Sequence, residues 1–544
     1  MLNNSKKHKN KQKISFTGIF CLFFISSMAV GVVQNSHQNT VQNSPKKPTK
    51  VTLEYADTLS FNKKQNADVH VAHGNVVFRH DSAYLYCDSS YLYNQSNMLE
   101  AFSNVRIEQG DSIFIYGDYL IYEGNNNLAK MRNNVRMENG DVTLFTDSLN
   151  YDRNINVGYY FKGGMLVDSI NELTSINGQY SPETKLAHFR NNVKLINPQF
   201  VLTSDTLKYS TESKIATILG PSVIESDSGT VYSSLGWYNT VTDQSMLYKR
   251  SLVFNKERTQ SITADSLSYN RATGFCEAFG DMLLNDTLKK AILTGNYGYM
   301  NQQDGFAFAT DSAQFIEYSQ GDSLFLHADT LFMYTIENER ELKAYYGVRI
   351  FRNDMQGVCD SLQFNTVDSI LRMYREPILW NTNYQMTGDT ILMHFNDSTI
   401  DKAHIYNYAF ATEQVDTTYY NQLKGNDMKV YFDSGEIRLI DVSGNAETIF
   451  FPSEDDGSFI GMNRTESSYF SIRVKDRKPE RMVLWPLPKG STLPLPDLTA
   501  ETKFLKGFID FQYIRPLNKY DIFVKKKRKA EDVTPPRVRR NRQE

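Results

Sequence analysis

Apolar and polar residues alternate along most of this chain, and a short phrase organises the alternation, returning at steps of 28 to 33 residues. The phrase is an Asp, a Ser or Thr, an apolar residue, one variable residue and an aromatic. Clear copies are Asp147-Ser148-Leu149-Asn150-Tyr151, Asp205-Thr206-Leu207-Lys208-Tyr209, Asp265-Ser266-Leu267-Ser268-Tyr269 and Asp360-Ser361-Leu362-Gln363-Phe364. Asp329-Thr330-Leu331-Phe332-Met333-Tyr334 is a longer variant, degenerate copies stand at Asp88, Asp118, Asn177, Ser234, Asn296 and Asp389, and a last one near Asp427 follows a longer step. Ten to fifteen residues further on comes a second alternating segment with Asn or Gly at its centre, as in Ala101–Ile107, Ala129–Met137, Ala187–Leu195 and Ala344–Ile350. Strict alternation predicts half-buried strands, and a central Asn or Gly predicts a kink or bulge, because these residues tolerate left-handed dihedrals. No stretch after residue 33 carries a useful helical period. The expected fold is therefore all-β, an elongated solenoid of about twelve stacked units in which each unit buries its apolar face only against its neighbours.

Within the phrase, the apolar residue and the aromatic are two apart and share one face of a strand. Leu149 and Tyr151, Leu207 and Tyr209, Leu267 and Tyr269, Leu331 and Met333, and Leu362 and Phe364 form one apolar stripe, while Asn150, Lys208, Ser268 and Gln363 face water. The Asp is expected at a tight turn just before the strand, accepting backbone N–H bonds. Two readings of the stripe stay open: a filled core between sheets, or a groove that holds acyl chains.

Composition agrees with strands. Aromatics reach 13%, with 33 Tyr and 33 Phe against 3 Trp. A net charge of −3 gives no global argument for nucleic acid. At the N-terminus, Lys6, Lys7, Lys9, Lys11 and Lys13 precede an uncharged run from Ile14 to Val33, the pattern of an export signal, or of a membrane anchor if it is not cleaved. Residues 1–33 are assigned to that segment and 34–50, rich in Asn, Gln, Ser and Pro, to a linker. The repeats fill 51–451. Pro486, Pro488, Pro494 and Pro496 mark 452–498 as an end cap, and the Lys- and Arg-rich 499–544 reads as a solvated tail. Cys87, Cys276 and Cys359 fall in separate units, too far apart to bridge, and read as small core residues.

Candidate catalytic chemistry is thin. His70 and His73 are three apart in a strand and face opposite ways, and His80, His188, His327, His394 and His404 stand in separate units. The chain has no phosphate loop, nucleophile elbow, CxxC pair or HExxH helix. No enzyme activity, catalytic residue, metal or cofactor is expected.

With its D-[ST]-L-x-[YF] phrases followed by A-x-F-x-N-x-V-x-[IL] segments, the chain resembles the OstA-like family, the lipopolysaccharide-transport proteins of the periplasmic LptA type and of the N-terminal domain of LptD. The resemblance implies a β-jellyroll of two sheets in a V whose apolar interior carries acyl chains, with edge strands pairing to inner- and outer-membrane transport components. It implies a periplasmic bridge for lipopolysaccharide or a related acylated lipid, with the stripe residues lining the path. The chain departs from the family in having about twice the repeats of a short bridge protein, and it lacks a long run of barrel strands. The alternative from another class is a cell-envelope scaffold or adhesin with a solid core.

Overall fold

The computed structural model describes residues 49–529, except 63–65, 320, 337–338, 397–398, 455 and 477. The basic-apolar segment at 1–33 and the last part of the expected tail lie outside the described residues, and everything below belongs to the unit that starts at Thr49. The described residues hold 38 β-strands and three single-turn 3-10 helices.

Successive strands pair antiparallel, as in the run Ala83–Tyr93, Met98–Gln109, Ile113–Glu123, Leu128–Asn139 and Val142–Asp152. Each of these strands is too long for one sheet and bends near its middle, where the register slips. Tyr86 faces Arg106, but three residues later Ser89 faces Phe102. Pairs of left-handed residues make the bends: Ser103 and Asn104, Asn133 and Asn134, Asn191 and Asn192, and Gly444 and Asn445. One half of each strand thus lies in a first sheet and the other half in a second. In several rungs the bend widens into a gap; Val142–Asp152 pairs at one end with Gly164–Val167 and at the other with Val157–Tyr160. A thirty-residue unit supplies two strands to each sheet, an advance of ~9.5 Å at ~4.8 Å per strand.

The recurring acids sit at these bends rather than in turns before the strands. Asn104 Nδ2 donates to Asp88 Oδ2 at 2.7 Å, and Asn134 Nδ2 to Asp118 Oδ2 at 2.6 Å. Asn75 does the same to Asp57 at 3.1 Å. The phrase's acid and the next segment's Asn therefore fasten adjacent bends to each other.

Inside, the aromatic of the phrase alternates with small residues along the first sheet. Ala129, Tyr151, Gly158, Tyr180, Ala187, Tyr209, Ala216, Tyr238 and Ser245 are cross-strand neighbours in that order. A ring needs more than its own strand spacing, and the small neighbour on each side leaves room for it. Tyr122, Tyr151, Tyr160, Tyr180 and Tyr209 are all fully buried.

Two regions expected to be cap and tail differ. The stack continues past 451 through Met462–Lys475 to a last split rung, Lys478–Trp485 and Lys489–Leu493, each paired on one side only. Pro479 and Pro486 are tolerated there because an edge strand leaves one row of backbone groups unpaired. Residues 499–529, expected to be solvated, pack as a strap on the outer face of the second sheet. That face is apolar here: Ile378, Trp380, Phe410, Ile449 and Phe451 are buried together with strap residues Leu505, Phe511 and Ile514. Two buried glutamines of the sheet bracket the strap backbone. Gln385 donates to Ile509 O and accepts from Phe511 N, and Gln422 donates to Lys503 O and accepts from Leu505 N, all at 2.8 Å. Arg515 Nε donates to Gln356 Oε1, also at 2.8 Å.

A Cβ at Gly178 would lie 2.4 Å from Cζ of Tyr160. Gly178→Ala is expected to destabilise by about 1–3 kcal/mol through overpacking, read as a lower midpoint in thermal denaturation. Adding Tyr160→Leu should recover part of the loss, and no recovery would contradict the alternation of large and small residues. Replacing both Gln385 and Gln422 with Leu should release the strap, read as faster limited proteolysis after Lys503 and Lys506 with the strands still protected.

Candidate functional site

The two sheets meet at the bends and end, on the opposite side, in two rows of turns; the space between the rows is the mouth of the interior. Seven of the ten stripe residues, Leu149, Tyr151, Leu207, Tyr209, Leu267, Leu331 and Leu362, are buried in one continuous core. The other three, Tyr269, Met333 and Phe364, are partly buried and pack against its edge.

A row of polar side chains crosses the mouth and binds one rim to the other. At one end Arg153 Nη1 donates to the Tyr122 hydroxyl at 2.6 Å and Arg153 Nε to Gln109 Oε1 at 3.0 Å, and His80 Nδ1 lies 2.6 Å from the same hydroxyl. Next, Lys185 Nζ and the Tyr180 hydroxyl both donate to Asn139 Oδ1, at 2.5 and 3.1 Å. The third crossing centres on Asp168, whose side chain is fully buried. It accepts from Lys214 Nζ at 2.9 Å and from the Tyr209 hydroxyl at 2.6 Å. Asn171 donates to the Tyr209 oxygen at 2.7 Å and to Thr240 Oγ1 at 3.0 Å. Further along, the Tyr238 hydroxyl donates to Asp243 Oδ1 at 2.7 Å, and Arg271 pairs with Asp243 at 2.7 Å while reaching Gln199 on the other rim. A buried tyrosine must satisfy its hydroxyl. Here the rings point that group out of the core, and the rims supply the partners.

The electrostatics follow. Burial raises the Asp168 pKa, but the Tyr209 hydroxyl, the Ile170 and Asn171 amides and Lys214 outweigh it, leaving the carboxyl below its usual range. Burial, reinforced by the Asp168 carboxylate, pushes the Tyr209 hydroxyl far up, and burial alone carries Tyr160 to about 12. These tyrosines are neutral donors, not acids. The three thiols of the described residues are free and buried, with burial lifting Cys87 and Cys276 to about 12, so none of these is a nucleophile at neutral pH. Among the described residues no group of three or more His, Cys, Asp or Glu side chains is placed to hold a metal ion.

Towards the C-terminus the lining changes. Inward-facing tyrosines give way to Met282, Met300, Met333, Met355, Met373, Met386, Met393 and Met428. Val253, Tyr269, Met300, Leu324, Met333, Phe364 and Phe395 are only partly buried. A hollow of about 30 Å³ lies among Val253, Ile262, Tyr269, Cys276, Leu284 and Met300, roughly the room of one water molecule.

The rim residues were not singled out from the sequence. Asp168 and Lys214, or Asn139 and Lys185, are 46 residues apart, and no local pattern links them. The only available signal is a polar residue ending an otherwise alternating strand, as Asn139 and Asn197 do.

Bent strands stacked about an apolar interior beneath a polar mouth define the class: a repeat β-jellyroll. Residues 48–205 match the family described as OstA-like protein. Among solved structures with significant similarity is LptH of Pseudomonas aeruginosa, the LptA-homologous periplasmic component of a lipopolysaccharide transport device. It is 12% identical, over 26% of this chain and 80% of that one, with a TM-score of 0.16. No curated protein sequence matches the chain.

Lys214→Met should leave the Asp168 carboxylate buried without a counter-charge and cost about 3–5 kcal/mol. Because the folded pKa of Asp168 is depressed, its contribution is complete above ~pH 4 and is lost as pH falls below that value towards the folded pKa. Asp168→Asn should therefore flatten the acid limb of the stability–pH curve relative to wild type. An unchanged limb would contradict the assignment.

Proposed function

We propose that the chain is a non-enzymatic lipid-binding bridge of the periplasm that carries lipopolysaccharide, or a related acylated envelope lipid, along the interior between its sheets towards the outer membrane. The observation that carries this reading is the continuous apolar core, which runs through the whole stack and whose lining includes partly buried residues between Val253 and Phe395. Each methylene buried there stabilises a chain by ~0.8 kcal/mol, and a lining without polar breaks offers little barrier between positions. The OstA-like stretch at 48–205 and the basic-apolar segment before it support the location. Leu149, Tyr151, Leu207, Tyr209, Leu267, Tyr269, Leu331, Met333, Leu362 and Phe364 are the proposed path-lining residues. The unpaired edges, Thr52–Tyr55 with Thr58–Asn62 at one end and Lys478–Trp485 with Lys489–Leu493 at the other, are the surfaces through which inner- and outer-membrane components would add strands.

A second reading, a scaffold with a solid core, draws on the rings of Tyr122 to Tyr238, which occupy the interior themselves. On the bridge reading these rings yield when the rims part, and acyl chains enter where the lining is methionine.

A photoreactive amino acid at Met300 or Phe364 is expected to crosslink acylated lipid in cells, whereas one at the outward-facing Asn150 should not. Leu207→Asp with Tyr209→Asp should lower the yield of lipid recovered with the purified chain, read by mass spectrometry of the extract. A folded chain that yields no lipid and no crosslink at either inward position would favour the scaffold.

A further inference from the structure

Among the described residues, every cation that ties the rims has a side-chain acceptor, except at one crossing. Lys214 has Asp168, Arg271 has Asp243, Lys185 has Asn139 and Arg153 has Gln109. Lys289 lies in the turn after the strand Phe275–Asp286, on the rim of the second sheet. Arg340 opens the strand Glu339–Arg352 on the rim of the first, and its Nη2 donates to Lys289 O at 3.1 Å. The two cationic side chains are thereby held at one point of the mouth. Lys289 Nζ and Arg340 Nε are both shielded from solvent, and neither has a hydrogen-bond partner among the described residues.

Among the described acids nearby, Asp286 and Glu317 are engaged elsewhere. Asp286 accepts from Lys289 N at 2.8 Å and from Gln260 Nε2 at 2.9 Å, and Glu317 Oε1 accepts from Ser319 N at 2.8 Å. Neither forms an ion pair with Lys289 or Arg340 in the described structure. Burial, and for Lys289 also the neighbouring guanidinium, lowers the pKa of both cations, while Asp286 acts in the opposite sense on each and Glu317 on Arg340. Two shielded cations with open donors are an unfavourable arrangement that an oxyanion would relieve, and an ammonium beside a guanidinium edge matches the several acceptor oxygens of a phosphoryl group. Directly inward lie apolar residues, Leu342 and Met333 on one sheet and Leu284 and Ala291 on the other.

We propose that Lys289 and Arg340 form a binding site for the phosphoryl group of an acylated lipid, whose chain lies between the sheets beneath them. The acyl part rests on the bridge reading above; the anion site does not.

The test uses the purified full chain, at constant ionic strength, with inorganic phosphate, dioleoyl phosphatidic acid and dioleoylglycerol, the lipids in mixed micelles. Wild type should bind phosphatidic acid at least tenfold more tightly than dioleoylglycerol, and K289Q/R340Q should bind both at the dioleoylglycerol level. Equal phosphatidic acid binding by wild type and variant would overturn the site. If wild type binds neither lipid, the bridge reading fails, and millimolar phosphate decides the site alone: it should raise the melting temperature of wild type but not of the variant, and no rise overturns it. Phosphate binding as tight as phosphatidic acid would overturn the lipid assignment and leave a free-anion site. Without ligand, both K289Q/R340Q and K289M/R340M should melt at or above wild type, since each removes two shielded cations that form no ion pair in the described structure. A lower melting temperature in both would make the pair structural and sink the proposal.

Discussion

A strand with an apolar stripe along all of its eleven or twelve residues cannot bury that stripe against a single narrow sheet unless it folds over on itself, and the bend that lets it do so governs the rest of this structure. Two left-handed residues in mid-strand are unfavourable for most side chains, so the bends collect Asn and Gly, with Ser103 or Lys249 and Arg250 where no such residue stands. The cost recurs in every rung and is offset by what the bend makes possible. The two halves of each strand face each other, and every unit buries both against the next. The repeated Asp is placed to hold that geometry, as the bonds from Asn104 to Asp88 and Asn134 to Asp118 demonstrate.

Once the strands bend, the other features follow in order. Facing halves leave a wedge, and from Tyr151 to Tyr238 each alternating tyrosine fits between cross-strand neighbours that are Ala, Gly or Ser. The ring is long, so its hydroxyl reaches the open side of the wedge. A buried hydroxyl needs a partner, so the rims carry Asp168, Asn139 and Asp243. Those acceptors, once shielded, take cations: Lys214 and Lys185 reach across to Asp168 and Asn139, and Arg271, paired with Asp243 on its own rim, reaches across to Gln199. The polar mouth is thus a consequence of the aromatic phrase rather than an independent addition to it.

What the sequence disclosed depended on range. The strands, their inward faces and the kinks are written within a dozen residues, and Leu207 with Tyr209 could be paired by eye. The role of Asp88 was misassigned to a turn because its partner, Asn104, belongs to the next strand. The strap was missed for a different reason. Leu505, Phe511 and Ile514 are scattered among prolines and charges with no period, and their complement, Ile378 and Trp380, lies more than a hundred residues earlier. The run Ile378-Leu379-Trp380 was the available hint, since a strand buried on both faces loses its alternation. The rim network left only a polar residue at the end of an alternating strand, as at Asn139 and Asn197.

The change of lining along the stack has a mechanical counterpart. Tyrosines anchored at their hydroxyls, as Tyr209 is by Asp168 and Asn171, hold the rims at a fixed distance, and they fill the first half of the interior. Methionine has no such anchor; its unbranched, polarisable side chain adapts to whatever shape lies beside it. Where methionines replace tyrosines, the interior loses ties that kept the sheets together from within. It is in that region that the strap crosses the outer face of the second sheet, fastened by Gln356, Gln385 and Gln422 to strands from Met355 to Phe432. External bracing leaves the inner face free to vary, whereas a ring pinned across the mouth does not. On the proposed bridge reading, this division would let the interior accept a flexible chain and keep its strand register, with stiffness supplied from outside and softness within.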